Sequence, residues 1–194
     1  MSRMHLQVQC LSRGSLRVTT PIGVLACVID AGSQSPAPGT WSMRGGPLPP
    51  ELPPGMSVAG SVGVVVALQP GQALHDLQVG LVWERTPAVQ GGPASGEWLD
   101  AQEWDAAGWR VVIGTEDGDA LSARLPECGF SEDRYPVAYR ADGLAITLPL
   151  VPVARTTTLH FIVALNPLPE PADCAAWFAV GVPHRRVLQA LPGV

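Results

Sequence analysis

Short segments in which apolar and polar residues alternate recur along the whole chain, and turns rich in Gly, Pro and Asp separate them. A period of two is the pattern of a strand with one buried face, and many short strands at close spacing are typical of antiparallel sheets. The sequence therefore predicts about eleven strands. They are expected at His5 to Cys10, Leu16 to Thr20, Gly23 to Ile29, Val58 to Leu68, Leu77 to Glu84, Trp109 to Thr115, Ala120 to Leu125, Val137 to Arg140, Leu144 to Leu148, Thr157 to Leu165 and Ala176 to Val182.

Two Asp-Gly pairs predict tight hairpins between neighbouring strands. They lie in Glu116-Asp117-Gly118-Asp119 and in Ala141-Asp142-Gly143, and Asp-Gly readily takes the positive φ angles that such turns require. We expect the strands on either side of each pair to be hydrogen-bonded to each other.

Helix is expected at one place only. Trp98 to Ala107 contains neither Gly nor Pro, follows Ser95 as a possible N-cap and ends at Gly108, so one to three helical turns are predicted. Val187 to Leu191 is too short to matter. The predicted fold class is all-β: an antiparallel two-sheet β-sandwich of about ten strands with at most one short helix.

A Pro- and Gly-rich segment, residues 30–57, separates N-terminal strands in residues 1–29 from a main sandwich in residues 58–194. It carries seven prolines and almost no alternation, which predicts either a mobile linker or an extended polyproline arm. An arm could lie on a neighbouring subunit of a homo-oligomer, with Trp41 or Met43 as its anchor. The run PLPPELPP also has the form of an SH3 ligand, although a spacer is the more usual role of such loops.

Charge is distributed unevenly along the chain. Twelve of the seventeen carboxylates lie between Asp76 and Asp133, a window with only three arginines, so the middle carries about nine net negative charges and both flanks are mildly basic. Such a field favours cations or basic partners and disfavours nucleic acid.

The composition argues against several kinds of binding site and against a signal peptide or a membrane-spanning helix. The chain has no lysine, so it has neither a Walker-type phosphate loop nor a Schiff-base lysine. The four cysteines form no C-x-x-C pair, which argues against zinc ribbons and thioredoxin-like motifs. Neither a signal-peptide pattern nor an apolar run of about 18 residues is present, and we expect a cytoplasmic protein.

No catalytic motif surrounds the four histidines, His5, His75, His160 and His184. The sequence contains no G-x-S-x-G, H-E-x-x-H or H-x-x-x-H pattern, and His160 reads as a histidine within a strand. We therefore expect a protein that is not an enzyme. A hydrolase whose site is assembled from residues distant in sequence remains the alternative.

Two stretches resemble the TerD-type tellurite-resistance and stress-response family. Leu68 to Glu84 (LQPGQALHDLQVGLVWE) is similar to a turn of the form K-G-x-x-x-x-L followed by a strand v-G-L-x-W-D. Leu144 to Pro152 (LAITLPLVP) with Leu159 to Leu165 (LHFIVAL) is similar to a later strand pair of that family. The resemblance implies a β-sandwich that binds calcium through acidic loops in a bacterial stress response. The chain departs from the family in having Glu84 in place of Asp and only Asp105 in place of a D-L-D triplet.

The first functional hypothesis is accordingly a non-enzymatic protein that binds a divalent cation, with calcium as the expected ion. Carboxylates near the predicted turns supply its oxygen ligands. The candidate metal ligands are Glu84, Asp105, Glu116, Asp117 and Asp119.

The second hypothesis is a protein–protein interaction module, such as a bacterial immunity protein or an assembly subunit. Acidic residues on a short helix, together with exposed indoles, would bind a basic protein surface. The candidate partner-binding residues are Glu97, Trp98, Asp100, Glu103 and Trp104.

Overall fold

The structure is a computed structural model, and it describes residues 6–12, 14–37, 40–88, 91–94, 96–153, 155–172 and 174–192. Within these residues the chain forms eleven strands, three short α-helices and one 3₁₀ turn. The strands make two antiparallel sheets, which confirms the predicted all-β two-sheet sandwich. The helices exceed the single short one expected, and residues 187–190, considered too short to matter, belong to one of them.

The first sheet has six strands in the order β1-β2-β3-β6-β10-β9. The hairpin predicted at Ala141-Asp142 is present, since Arg140 pairs with Gly143 across it. The strands are β1 (Gln7–Ser12), β2 (Ser15–Thr20), β3 (Gly23–Asp30), β6 (Leu74–Trp83), β9 (Val137–Arg140) and β10 (Gly143–Val151).

The second sheet has five strands in the order β4-β5-β11-β8-β7. The strands are β4 (Trp41–Pro47), β5 (Gly60–Leu68), β7 (Leu99–Ala106), β8 (Trp109–Glu116) and β11 (Thr157–Pro167).

The main hydrophobic core fills the space between the two sheets. Its largest fully buried side chains are Trp104 and Phe161, packed among leucines and valines from both sheets. Burial of this apolar area is the principal force that holds the sheets together.

A second apolar layer covers the outer face of the five-stranded sheet. The helices α2 (Ala175–Val180) and α3 (His184–Ala190) pack there against Val65, Val112 and Ile162. Gly114 of β8 permits the close approach, because a Cβ at this position would lie 2.7 Å from the Val180 side chain. The central strands of this sheet are therefore buried on both faces, which explains their nearly continuous apolar runs.

Three predicted elements are wrong. Residues 98–107 form strand β7 and not a helix, because Ala107 and Gly108 both have positive φ and make a two-residue turn into β8. Residues 120–125 belong largely to helix α1 (Gly118–Arg124), because Asp117 accepts a hydrogen bond from the Ala120 N–H and caps it, so the hairpin predicted at Asp117-Gly118 is wrong as well. The apolar run at 176–182, predicted as a strand, is mainly helix α2. Short apolar runs fit either element.

The segment 30–57 contains an edge strand that was not predicted, because the segment is rich in proline. Strand β4 pairs with β5 of the same chain, and Met43 and Leu48 are buried. Trp41 packs against the core of its own sandwich. Oligomerisation through this segment stays a prediction.

In the described part of the chain, no helix has the length and apolar character that crossing a bilayer requires.

Replacing Trp104 with Ala is expected to lower the free energy of unfolding by about 3–5 kcal/mol, because a fully buried indole leaves a cavity. The matched control Trp98→Ala removes a side chain that is 67% exposed and is expected to cost less than about 1 kcal/mol. Urea titration of both variants measures the difference. Equal losses would contradict the assignment of Trp104 to the core.

Candidate metal centre and adjoining cavity

The five carboxylates predicted as metal ligands do not converge. Glu84 pairs with Arg17 at 2.5 Å, and Asp105 pairs with Arg110 at 2.8 Å. Asp117 caps helix α1, and Asp119 is exposed in its first turn. Only Glu116 lies in a compact group of metal-ligating side chains within the described residues, and its companions there are histidines.

The five residues predicted to bind a partner are also separated by the strand geometry. Glu97 and Trp98 are exposed, whereas Asp100 and Trp104 are only 2% and 0% accessible to solvent. Glu103 is half-buried beside Arg110. The expected exposure of Trp104 is wrong, because β7 directs this indole inward against Trp83 with ring centroids 5.6 Å apart.

Arginines from several elements lie against the acidic segment 76–133. Arg124 pairs with Glu116, Arg134 with Asp76, and Arg110 with both Glu103 and Asp105. The charge imbalance seen in the sequence is thus partly compensated in space.

Asp100 instead closes one edge of the sandwich. Its carboxylate, on β7 of one sheet, accepts hydrogen bonds from the hydroxyls of Tyr135, at 2.7 Å, and Tyr139 of β9 in the other sheet. The Tyr135 oxygen also accepts the Gly118 N–H at 2.9 Å. Burial raises the pKa of Asp100, and burial together with the Asp100 contact raises the pKa of Tyr135 to about 12. Asp100 therefore connects the two sheets.

Glu116, His160 and His184 meet where β8, β11 and α3 come together. His184 is the first residue of α3, and His160 lies in β11. The two Nδ1 atoms are 2.8 Å apart, and each is 3.8 Å from the same Glu116 oxygen, Oε2. Two imidazoles and a carboxylate are thus close enough to bind one ion.

These three distances match a metal coordination sphere. The point equidistant from the corners of a triangle with sides of 2.8, 3.8 and 3.8 Å lies about 2.0 Å from each corner. Zinc–nitrogen and zinc–oxygen bonds are about 2.0–2.2 Å long. A zinc-sized ion can therefore lie within bonding distance of all three atoms, and the two nitrogens, now 2.8 Å apart as in a hydrogen bond, must separate to about 3.3 Å for tetrahedral coordination.

Polar neighbours hold Glu116 and His184 in place. Arg124 donates three hydrogen bonds to Glu116, from Nε to Oε1 at 2.9 Å and to Oε2 at 3.1 Å, and from Nη2 to Oε2 at 2.5 Å. The Thr158 hydroxyl lies 3.0 Å from Nε2 of His184. An Nε2–H donated to that hydroxyl would leave Nδ1 of His184 unprotonated, as a metal ligand requires.

Burial keeps both histidines uncharged. It lowers the pKa of His184 to about 3, with a further contribution from Arg124. It also lowers the pKa of His160 well below its usual value, assisted by His184 and Arg124. Neutral imidazole is the form that binds metals.

A cavity of about 520 Å³ adjoins this group. Glu116 and His184 line it together with Thr115. The rest of its wall is mostly apolar and includes three aromatic residues and two further carboxylates. These are Trp98, Trp177, Phe178, Glu51 and Glu97.

Sequence patterns alone did not indicate this group, because its members are far apart in the chain and belong to no short motif. The missing information is strand pairing. β8 and β11 are neighbours with Gly114 opposite Ile162, and two further residues of the same register bring Glu116 opposite His160. His184 joins them only because α3 packs on the outer face of the sheet.

No protein-family model, curated protein or solved structure matches the chain. The resemblance to TerD-type proteins stays a prediction.

The two neutral histidines predict acid sensitivity of the metal-free protein. Histidines in the unfolded chain protonate below about pH 6.5, whereas His184 in the folded protein resists protonation down to a pKa of about 3. The unfolded state therefore binds more protons, and the free energy of unfolding is expected to fall between pH 7 and pH 5. Each histidine contributes up to about 1.4 kcal/mol per pH unit.

Urea titrations with a chelator present measure this dependence. His184→Gln is expected to reduce the slope, and His75→Gln, at an exposed position, is expected to leave it unchanged. A slope in His184→Gln equal to that of the unaltered protein would contradict the account.

Proposed function

We propose that this protein binds a divalent transition metal, with Zn²⁺ as the best-fitting ion, through Glu116, His160 and His184. The single observation that carries the proposal is the triangle of ligand atoms, whose centre is about one zinc bond length from each. The proposal keeps the divalent cation and Glu116 from the first sequence-based hypothesis, and it replaces the other four carboxylates with two histidines.

The donor set favours zinc over calcium. Calcium takes six to eight oxygen ligands, whereas this group offers one carboxylate and two imidazole nitrogens. Imidazole ligands suit Zn²⁺, Cu²⁺, Ni²⁺ and Fe²⁺. The hydrogen bond between the two Nδ1 atoms contains one N–H proton, and a nitrogen that binds a metal cannot hold a proton. Metal binding therefore requires this proton to move to an Nε2 atom or to solvent.

Arg124 affects the site in two opposing ways. Its hydrogen bonds orient the Glu116 carboxylate toward the histidines. Its positive charge also offsets the negative charge of the Glu116 carboxylate, and this weakens the attraction of the site for a cation. We expect weaker binding here than at a closed structural zinc site with four protein ligands.

The open side of the group suggests a second candidate function. Catalytic zinc sites have three protein ligands and leave a position for water or substrate. Both Glu116 and His184 line the adjoining cavity, so an ion held by them would have its free position accessible from that side. This feature favours the hydrolase alternative over a purely structural ion, and loss of hydrolytic activity in His184→Ala would be its test once a substrate is found.

Calorimetric titration of the chelator-treated protein with Zn²⁺ tests metal binding. We expect one ion per chain, and a Co²⁺ derivative with the visible absorption of a four- or five-coordinate ion. His184→Ala is expected to weaken binding by more than about 100-fold, since even residues that only support a ligand account for about 10- to 100-fold.

Two matched variants make this test specific. His75→Ala removes an exposed histidine outside the site and is expected to leave affinity unchanged. Thr158→Val removes the partner of His184 Nε2 and is expected to weaken binding by about 10-fold or more. Circular dichroism verifies folding, and equal Zn²⁺ affinity in the His184→Ala and His75→Ala proteins would refute the proposed site.

A further inference from the structure

The cavity beside the metal-ligating group has features of its own that none of the metal chemistry uses. Its volume of about 520 Å³ lies in the range of small-molecule sites, about 300–1,000 Å³. Leu99, Val180 and Val182 supply aliphatic wall. An apolar part of a ligand can be buried against these side chains.

Three aromatic rings line the same cavity. Trp177 and Phe178, on α2, pack edge to face with ring centroids 5.0 Å apart. The Trp177 Nε1–H donates to the Ala94 carbonyl, which fixes that indole. Trp98 is 67% exposed and Phe178 is 37% exposed, so both remain available to a ligand at the mouth.

Trp98 occupies a backbone conformation that is unusual for a large residue. Gly96 and Leu99 pair across a tight turn whose second central residue is Trp98, with φ of 69°. This position normally carries Gly or Asn. A bulky residue held at positive φ is costly, and such strain is often found where a side chain serves a ligand. The turn therefore presents the indole at the mouth of the cavity at an energetic cost.

Three carboxylates line the cavity, and two of them are paired with arginines that are not among its described lining residues. The three are Glu51, Glu97 and Glu116. Glu51 pairs with Arg186 and Glu116 with Arg124. Within the described part of the chain Glu97 has no ion pair or hydrogen bond, and it is adjacent to Trp98. An incoming cation would meet an indole face and a free carboxylate together.

We propose that this cavity binds a small organic cation, an ammonium group attached to an apolar body. The ammonium lies at the mouth between the Trp98 indole and the Glu97 carboxylate, and the apolar body lies against Leu99, Val180 and Val182. Aromatic faces attract cations, and quaternary ammonium groups are typical ligands of aromatic cages. Anionic ligands are disfavoured by the Glu97 carboxylate, which no arginine of the described residues neutralises.

Benzyltrimethylammonium is a suitable probe, with benzyl alcohol as the neutral control and phenylacetate as the anionic one. Calorimetry and tryptophan fluorescence are measured on the full chain with a chelator present, so the outcome is independent of metal binding. We expect saturable binding of one cation per chain, about tenfold or more tighter than that of benzyl alcohol, since about 1.4 kcal/mol is tenfold in affinity and cation–π contacts reach that size.

Variants separate the two parts of the cation site. Trp98→Leu keeps apolar area but removes the ring, and we expect a loss of about tenfold that Trp98→Phe partly restores. Glu97→Gln is expected to weaken binding and to reduce its salt dependence. Glu132→Gln, an exposed carboxylate that is not among the cavity's lining residues, is the matched control and is expected to have no effect.

Three results would overturn the proposal. They are absence of binding at millimolar probe, equal or tighter binding of benzyl alcohol or phenylacetate, and unchanged affinity in both Trp98→Leu and Glu97→Gln. None of them bears on Zn²⁺ binding, which is measured without the probe.

Discussion

The packing of two short helices on the outer face of the five-stranded sheet is the interaction on which the functional part of the molecule depends. Gly114 leaves room for Val180, and Val187 and Leu191 pack against the same face. This contact buries the sheet on both sides and brings the start of α3 over β11. His184 meets His160 only through that contact, and the cavity lies between α2 and the end of β8. Both proposed sites therefore depend on one layer of apolar contacts.

The metal-ligating group and the cavity differ in their electrostatics although they share Glu116 and His184. The buried end has neutral imidazoles and a carboxylate matched by Arg124. The mouth has aromatic faces and the unmatched Glu97. A transition metal prefers the first environment because it needs nitrogen lone pairs, and an organic cation prefers the second because it needs π faces and a counter-ion. The two proposed ligands would therefore contact different groups.

Strand alternation was enough to predict the sandwich, because most strands have one face on the core, whereas only one of the two Asp-Gly pairs, Asp142-Gly143, makes the predicted hairpin. Strand β4 was not predicted, because it lies in a Pro-rich segment. Strand β7 was predicted as a helix, because a glycine such as Gly108 can follow a helix end as well as form a hairpin turn. The clustering of acidic residues in the sequence did not locate the site, because Glu84, Asp105 and Asp117 lie in different parts of the fold. The group of Glu116, His160 and His184 requires knowledge of register and helix packing, which single-sequence periodicity does not contain.

X-ray absorption at the zinc edge of the zinc-loaded protein tests the central claim most directly. The account predicts a first shell of nitrogen and oxygen atoms at about 2.0–2.1 Å with the outer-shell scattering of two imidazole rings, reduced to one ring in His184→Ala. A shell of oxygen atoms alone, without imidazole scattering and unchanged by that substitution, would contradict it.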